Sequence, residues 1–429
     1  MSSVDVNVEH VARVEGHGNI IVNVKDGKIE ELRLEIVESP RFFEAMVVGR
    51  RFDEAPHITS RICGICSVGH TLTSIKAVEA AMGIKPSKQT IKLRRLLTYG
   101  ATMQSHILHE YFLAAPDFLG VGSVVPLAAS HPDVVNRALW LKKLANDMCD
   151  LIGGRTVHPI SAVINGFTRI PTVDELEGLK KKLIGSIPDL GATVELYKTL
   201  SIPDFNRETE YLALKSDVEY AFYDGDQIAS SDGGLTPVVK YREKVCEKVA
   251  PHSTAKHCNS LRESLMVGAL ARVNINYKQL SPMAKKVAEE LGLTVPCFNP
   301  YMNNVAQIVE AVHCAEESID LIEEIISDGL KKEDRNFKVR GGKGIAACEV
   351  PRGTLYHEYE IDDKGIITGA NLIIPTGQNL KNIEMDMETL IPTIIDRSKE
   401  QITLALEMLV RAYDPCISCS THLLNVELR

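Results

Sequence analysis

The sequence predicts an α+β protein, mainly helical, built as a single large module with small β-sheets at its N-terminus and in its C-terminal half. Three observations predict it. Period-2 alternation is confined to the segment before Pro40 and to a stretch after Phe337, whereas the segments between them carry apolar residues at i, i+3 and i+4. The composition, 45% hydrophobic and 24% charged over 429 residues, supplies an ordinary globular core. Finally, no internal repeat and no Pro/Gly/Ser-rich linker divides the chain, although its length alone would allow about three domains.

The elements follow in order. Asn19 to Lys25 alternates, Asp26-Gly27 is a hairpin signal, and Ile29 to Val37 returns with Leu32, Leu34 and Ile36 on one face. After Pro40 the period lengthens. Helices are expected over Cys66–Met82, Lys88–Phe112 and Pro132–Ile152, then over Val173–Leu200, Ser281–Leu291 and Asn303–Leu330. The β signal returns from Phe337 to Pro375, through Tyr356–Ile361, a turn at Asp363–Gly365 and Ile366–Ile374. One long helix, about Ile383 to Ala412, is expected before the last cysteines. The expected organisation is a β-rich part at 1–60, a helical body at 61–335, a β-rich insert at 336–380, a C-terminal helical part at 381–422 and a tail at 423–429.

Lys+Arg 48 against Asp+Glu 57 gives a net charge of −9, the wrong sign for a nucleic-acid footprint. No apolar run approaches the ~18 residues of a membrane span. The first ten residues carry acids where a signal peptide needs a basic end and an apolar run. A cytoplasmic protein is expected.

Ten cysteines stand in the chain. In a reducing compartment they are not a disulfide framework. Cys149, Cys246, Cys258, Cys297, Cys314 and Cys348 are scattered singly and read as small buried hydrophobes or incidental thiols. The other four form two Cys-x-x-Cys pairs, Cys63/Cys66 and Cys416/Cys419, each followed by a histidine, His70 or His422. Thiolates with two residues between them can point at one ion, and two such pairs supply four sulfurs, a set that suits zinc, an iron–sulfur cluster or nickel. A zinc ribbon usually draws its pairs from one compact unit with ~15–20 residues between them, but Cys66 and Cys416 stand 350 residues apart. Neither pair has the βαβ surroundings of a thioredoxin dithiol. Haem attachment needs histidine directly after the second cysteine, where Ser67 and Ser420 stand instead.

These motifs resemble the large, catalytic subunit of [NiFe] hydrogenases. The family's N-terminal signature, Arg-Gly-x-Glu, fifteen residues, then x-Arg-x-Cys-Gly-x-Cys, is met by Arg41-Phe42-Phe43-Glu44 and Ser60-Arg61-Ile62-Cys63-Gly64-Ile65-Cys66. Phe42, where many members have Gly, is its one departure. The C-terminal signature stands complete as Asp414-Pro415-Cys416-Ile417-Ser418-Cys419-Ser420-Thr421-His422. Ala12–Gly16, Gly153–His158, Val350–Gly353 and Ile374–Thr376 extend the likeness over essentially the whole chain.

The resemblance implies a nickel–iron centre whose iron carries carbonyl and cyanide ligands. Cys63 and Cys416 would be terminal on nickel, while Cys66 and Cys419 would bridge nickel and iron. Soft thiolates raise electron density on nickel, which favours heterolytic cleavage of hydrogen. Glu15 would carry the proton outward from a terminal thiolate; on its own, a glutamate before Gly16 reads as a solvated loop residue. Arg352 would lie over the metals and Asp414 would hold it, although Asp414-Pro415 is also ordinary turn chemistry. Pro351 would line the iron pocket, and Thr376 would donate to a cyanide. His70 would donate to a bridging sulfur, against the plainer reading of a satisfied helix histidine. A magnesium ion would take Glu44, the backbone carbonyl of Leu372 and His422.

The family's precursors are cut after the last histidine, so 423–429 is expected to be a maturation tail, removed by an endopeptidase after nickel chaperones load the site. The serine in Gln104-Ser105-His106, where membrane-bound and periplasmic relatives often place an acid, fits the cofactor-coupled group linked to NAD(P), a deazaflavin or a heterodisulfide reductase. With no cysteine set left for an iron–sulfur cluster of its own and no Gly-x-Gly-x-x-Gly loop, the chain would need an iron–sulfur small subunit, together with further flavin or iron–sulfur electron-transfer subunits. A hydrogen-sensing member, a nickel-free quinone-reductase relative and a structural four-cysteine zinc protein are the competing readings.

Overall fold

A computed structural model describes residues 4–421. The chain opens on an antiparallel meander of β1 (Val4–Val8), β2 (Gly18–Lys25) and β3 (Lys28–Ile36). Alternation in β2 turns Ile20, Val22 and Val24 inward, where Val6, Leu34 and Ile36 meet them. Asp26 and Gly27, both at positive φ, close the β2–β3 hairpin, the backbone sense that a two-residue turn between twisted strands needs.

The helical body follows as α1 (Ser67–Met82), α2 (Lys88–Leu108), α3 (Pro132–Gly153) and α4 (Val173–Lys198). Gly83 in the left-handed region ends α1, and Ser87 caps α2 by accepting from the Thr90 N–H. α2 does not run unbroken to Phe112: from His109 to Ala114 the chain makes a π-helical turn. Such wide turns commonly sit at functional sites.

Residues 210–266 depart from the expected helical body. β4 (Glu210–Lys215), β5 (Gln227–Ser230), β6 (Leu235–Pro237), the short pair β7 (Cys246–Lys248) and β8 (His257–Asn259), and β9 (Leu265–Met266) lie here. The larger sheet has the order β9-β4-β5-β6, with β9 parallel to β4. Buried on both faces, β4 shows no alternation, so its sequence carries no period-2 signal.

The helices resume with α5 (Ala269–Asn276), α6 (Pro282–Glu290) and α7 (Met302–Asp328). An antiparallel sheet of β10 (Gly342–Val350), β11 (Gly353–Ile361) and β12 (Ile367–Ile373) lies against α1. Val350 pairs with Gly353, so Pro351 and Arg352 alone form the β10–β11 turn. The single long helix expected near the end is two helices, α8 (Pro375–Ile394) and α9 (Lys399–Ala412). Ser398 and Gln401 restart the helix with a reciprocal capping box. Among the described residues, no helix is long and apolar enough to cross a membrane.

Glycine sets the closeness of α1 and β10. A Cβ on Gly344 would stand 2.0 Å from the Ala77 carbonyl oxygen and 2.3 Å from the Ala81 nitrogen. Gly344→Ala should therefore cost ~3 kcal/mol or more of stability, read as a lower denaturant or thermal midpoint. The exposed Gly185→Ala on α4, with nothing within 4 Å of the added Cβ, should instead gain roughly 0.5–1 kcal/mol.

Candidate metal centre

The four paired cysteines meet. Cys63 follows a 3-10 turn over Ser60–Ile62, Cys66 stands immediately before α1, and Cys416 and Cys419 bracket the start of a short helix over Ile417–Ser420. Their sulfurs all lie within 4.8 Å of one another, and all four residues are buried. Each close contact joins the two ends of the chain: Cys63 to Cys416 at 3.3 Å and Cys66 to Cys419 at 3.8 Å. These separations far exceed the ~2.05 Å of a disulfide. They bracket the ~3.7 Å edge of a sulfur tetrahedron around an ion at about 2.3 Å.

Electrostatics favour a cation among them. Hydrogen bonds from the Cys416, Cys419 and Cys63 thiols pull Cys66 well below the usual thiol range, with a smaller contribution from His70. Burial pushes Cys416 and Cys419 well above it. One thiolate is thus readily formed, and Cys416 and Cys419 need positive charge beside them to ionise.

The surrounding residues come from widely separated places in the sequence. Glu15, half-buried, bridges in β fashion to Cys416 and accepts the Ile417 N–H at 2.9 Å through its backbone. Its carboxylate takes the Cys416 thiol at 3.2 Å and the Ser418 N–H at 3.1 Å on Oε2, and the Ser418 hydroxyl on Oε1. Arg352, carried by the two-residue turn, donates through Nε to the Asp414 carbonyl at 2.6 Å and through Nη2 to Asp414 Oδ1 at 2.7 Å. Its Nη1 lies 3.4 Å from the Ser105 hydroxyl. Burial works against its charge, but Asp414 and the thiols of Cys416, Cys63 and Cys66 outweigh burial and raise its pKa. Pro351 is buried beside it.

Thr376, in the first turn of α8, accepts the Cys416 N–H at 2.9 Å, which leaves its own hydroxyl proton to donate elsewhere. His70 is buried on α1 and its Nδ1 lies 3.4 Å from His357 Nε2. Glu44 is buried and accepts the Leu372 N–H at 2.7 Å, so these two residues are adjacent. His422 and the 423–429 tail lie outside the described residues.

A family model for nickel-dependent hydrogenases matches residues 41–133 and 202–422. The chain belongs to this family of hydrogenase large subunits. It is 36% identical over 423 residues to the alpha chain of sulfhydrogenase 1 from Pyrococcus furiosus, covering 98% of each chain. It is 33% identical to a chain of the F420-non-reducing hydrogenase from Methanothermobacter thermautotrophicus, over 99% of this chain and 96% of that one. The crystal structure of an NAD+-reducing [NiFe]-hydrogenase in the H2-reduced state superposes with a TM-score of 0.88 at 29% identity, covering 98% of this chain and 100% of that one. The described residues share that fold.

Several residues that sequence reasoning passed over also support the centre of this hydrogenase large subunit. Arg41 belongs to the N-terminal signature yet had no role; its Nη2 donates to the carbonyls of Ile62 and Ser418, the residues just before Cys63 and Cys419. Phe42 stands at φ 53°, in the left-handed region, which accounts physically for a signature that has Gly there. Arg272, fully buried on α5, donates to the Val350 and Pro351 carbonyls at 2.9 Å and so holds the turn that carries Arg352. Its charge is matched by Glu310 at 2.7 Å and Glu349 at 3.0 Å. Burial opposes ionisation of Glu310, but Arg272 and His106 overcome it and draw its pKa down to about 2. Gln307 donates to Asp414 Oδ2 at 3.1 Å. Arg272, Glu310 and Gln307 carry no local motif, since their partners lie far off in sequence.

His109, at the π-helical turn, is buried with Nε2 2.8 Å from the Arg411 carbonyl and Nδ1 2.8 Å from both Glu110 Oε1 and Gln307 Oε1. With acceptors at both nitrogens it is an imidazolium. Burial opposes that charge, yet Asp414 and Glu110 raise its pKa to about 9. A pKa raised on folding contributes stability that is complete below the ordinary histidine value and lost as pH rises through the folded value. His109's contribution should therefore fade between about pH 6.5 and about pH 9. Thermal midpoints across that range should fall more steeply for the native chain than for His109→Gln.

Proposed function

We propose that this chain is the catalytic subunit of a [NiFe] hydrogenase that interconverts H2 with two protons and two electrons. The observation that carries this reading is the meeting of four buried sulfurs, with a guanidinium fixed on Asp414 two residues before Cys416 and a carboxylate in contact with one of the sulfurs. The donor set fits the implied metals: four soft thiolates in one buried cluster suit nickel, and Cys63, Cys416, Cys66 and Cys419 would hold a nickel–iron centre, the last two also serving the iron. When bound, that centre supplies the redox-active metals at which H2 is split.

The chain's own residues do the rest. Arg352 would lie over the metals, its guanidinium plane held in one orientation by both oxygen types of Asp414. Ser105, a neutral hydroxyl 3.4 Å from Nη1 in place of a carboxylate, leaves that positive charge undiluted. Glu15 Oε2 receives the proton from Cys416 Sγ, and the Ser418 hydroxyl on Oε1 stabilises the carboxylate left after release. Because Glu15 is half-buried, it spans the distance between the sulfur cluster and the outside. Thr376 fixes Cys416 through its amide and offers its hydroxyl proton to an anionic ligand such as cyanide; Pro351 walls the same pocket, and His70 donates to a bridging sulfur. Magnesium would be held by Glu44, the Leu372 carbonyl and His422, with waters completing the shell.

Electrons pass to an iron–sulfur small subunit, then through flavin or iron–sulfur subunits to a soluble acceptor in the cytoplasm. The name of one relative, a subunit of an NAD-reducing hydrogenase, supports a soluble acceptor, and the naming of the relatives as subunits supports partner chains. Nickel chaperones and an endopeptidase that removes 423–429 complete the set of partners.

Cys63→Ala and Cys419→Ala should each lose nickel from the complex, measured by elemental mass spectrometry, together with hydrogen uptake. Full uptake in either variant would sink the assignment. Glu15→Gln should retain nickel and the fold yet lose hydrogen–deuterium exchange by about 10²-fold or more; unchanged exchange would remove Glu15 from the proton path.

A further inference from the structure

A second group of metal-ligand side chains closes around Glu384 on α8. Glu384 stands eight residues beyond Thr376 on that helix, ~12 Å along its axis, so the group lies apart from the sulfur centre. His252 comes from the loop between β7 and β8, and His257 is the first residue of β8. One ligand atom from each of the three lies within 4.8 Å of the others.

Glu384 Oε1 accepts from His252 Nε2 at 2.7 Å and from the Leu34 N–H at 3.1 Å. Oε2 stands 4.0 Å from His257 Nδ1 and 3.8 Å from Lys381 Nζ. His257 is 8% exposed, and its Nε2 has no hydrogen-bond partner among the described residues. Burial, helped by His252 and Lys381, pushes its pKa down to about 4, so its ring is neutral near pH 7. An ordinary ion pair would need only His252 and Glu384. It would leave a second imidazole buried beside the same carboxylate, its Nδ1 at 4.0 Å and its Nε2 unpartnered among the described residues, which desolvation penalises.

We propose that His252, His257 and Glu384 form a second metal site, separate from the four sulfurs, that takes one divalent cation of the zinc type. Two imidazole nitrogens and one carboxylate oxygen make a set that zinc accepts with water in the fourth position, whereas magnesium prefers oxygen alone. The Leu34 amide orients the carboxylate, as supporting hydrogen bonds do around metal ligands. Among the described residues, Lys381 is the one lysine or arginine paired with Glu384, and it has a second acceptor in Glu263 at 3.8 Å, to which it turns when the metal enters. Binding displaces the proton that His252 shares with Glu384. The ion ties the β7–β8 loop and the edge of β3 to α8, the helix that sets Thr376 against Cys416.

The test uses the whole hydrogenase complex, purified anaerobically, cleared of loosely held metal with a mild chelator and titrated with Zn2+ alone against a chromophoric competitor. One zinc per large subunit is expected, with a nitrogen/oxygen shell by X-ray absorption. His252→Gln and His257→Ala should each weaken that binding by at least ~10-fold while nickel content stays unchanged. Nickel retention reports both folding and the sulfur centre, so loss of this site is distinguished from failure of the hydrogenase reading. Because the His257 variant removes a buried side chain, the half-buried His252→Gln decides the matter if His257→Ala does not assemble. No zinc at low micromolar concentration, a sulfur shell around the zinc, or undiminished affinity in His252→Gln overturns the proposal.

Discussion

The meeting of four buried thiols from opposite ends of the chain is the constraint on which the rest of the structure depends. Cys63 and Cys416 are 353 residues apart in sequence and 3.3 Å apart in space. Closing so long a loop costs conformational entropy, and burying four ionisable sulfurs adds a desolvation penalty. The fold meets both with backbone ties that leave the terminal segment little freedom. The Ile417 amide is held by the Glu15 carbonyl, and Arg41 spans the two cysteine motifs. Arg411 holds the Ala12 carbonyl at 2.9 Å while pairing with Asp117. The N-terminal loop and the end of the chain are in effect one structural unit.

A shell of buried charge lies behind this unit. Arg352, Arg272 and His109 are cations in the buried interior, and Asp414, Glu310, Glu349 and Glu110 answer them. Such pairs add little net stability, because desolvation cancels much of their attraction, but removal of one member leaves the other exposed to the full penalty. Their value here is orientation. Arg272 holds the carbonyls on either side of the Val350–Pro351 bond, and the two-residue turn then leaves Arg352 a single direction. Asp414 is fixed in turn by Gln307 and stands 3.9 Å from His109. The orientation of the Arg352 guanidinium is thus set by residues outside the cysteine pairs.

Much of this was legible in the sequence. Alternation marked β2 and β3, the helical period marked α1, α3, α4 and α7, and spacing singled out four cysteines of ten. Other parts were not. The sheet within 210–266 escaped because β4 is buried on both faces. The break between α8 and α9 escaped although Ser398 and Gln401 spell a capping box, since the apolar period runs on across it. Among the lone cysteines, Cys149, Cys258, Cys314 and Cys348 are buried as expected, whereas Cys246 is exposed.

The sequence by itself singled out the four paired cysteines, because their chemistry is carried by residue type at short spacing; Arg352 and the carboxylates were named only through the family resemblance. The tertiary structure alone decided how they meet. That Glu15 reaches Cys416, that Ser105 faces Arg352, and that Arg272 aims the turn all rest on contacts between residues more than 75 apart in sequence. Periodicity and local motifs cannot encode such contacts. They arise only when buried charges and sulfurs must find partners within one shared, low-dielectric interior.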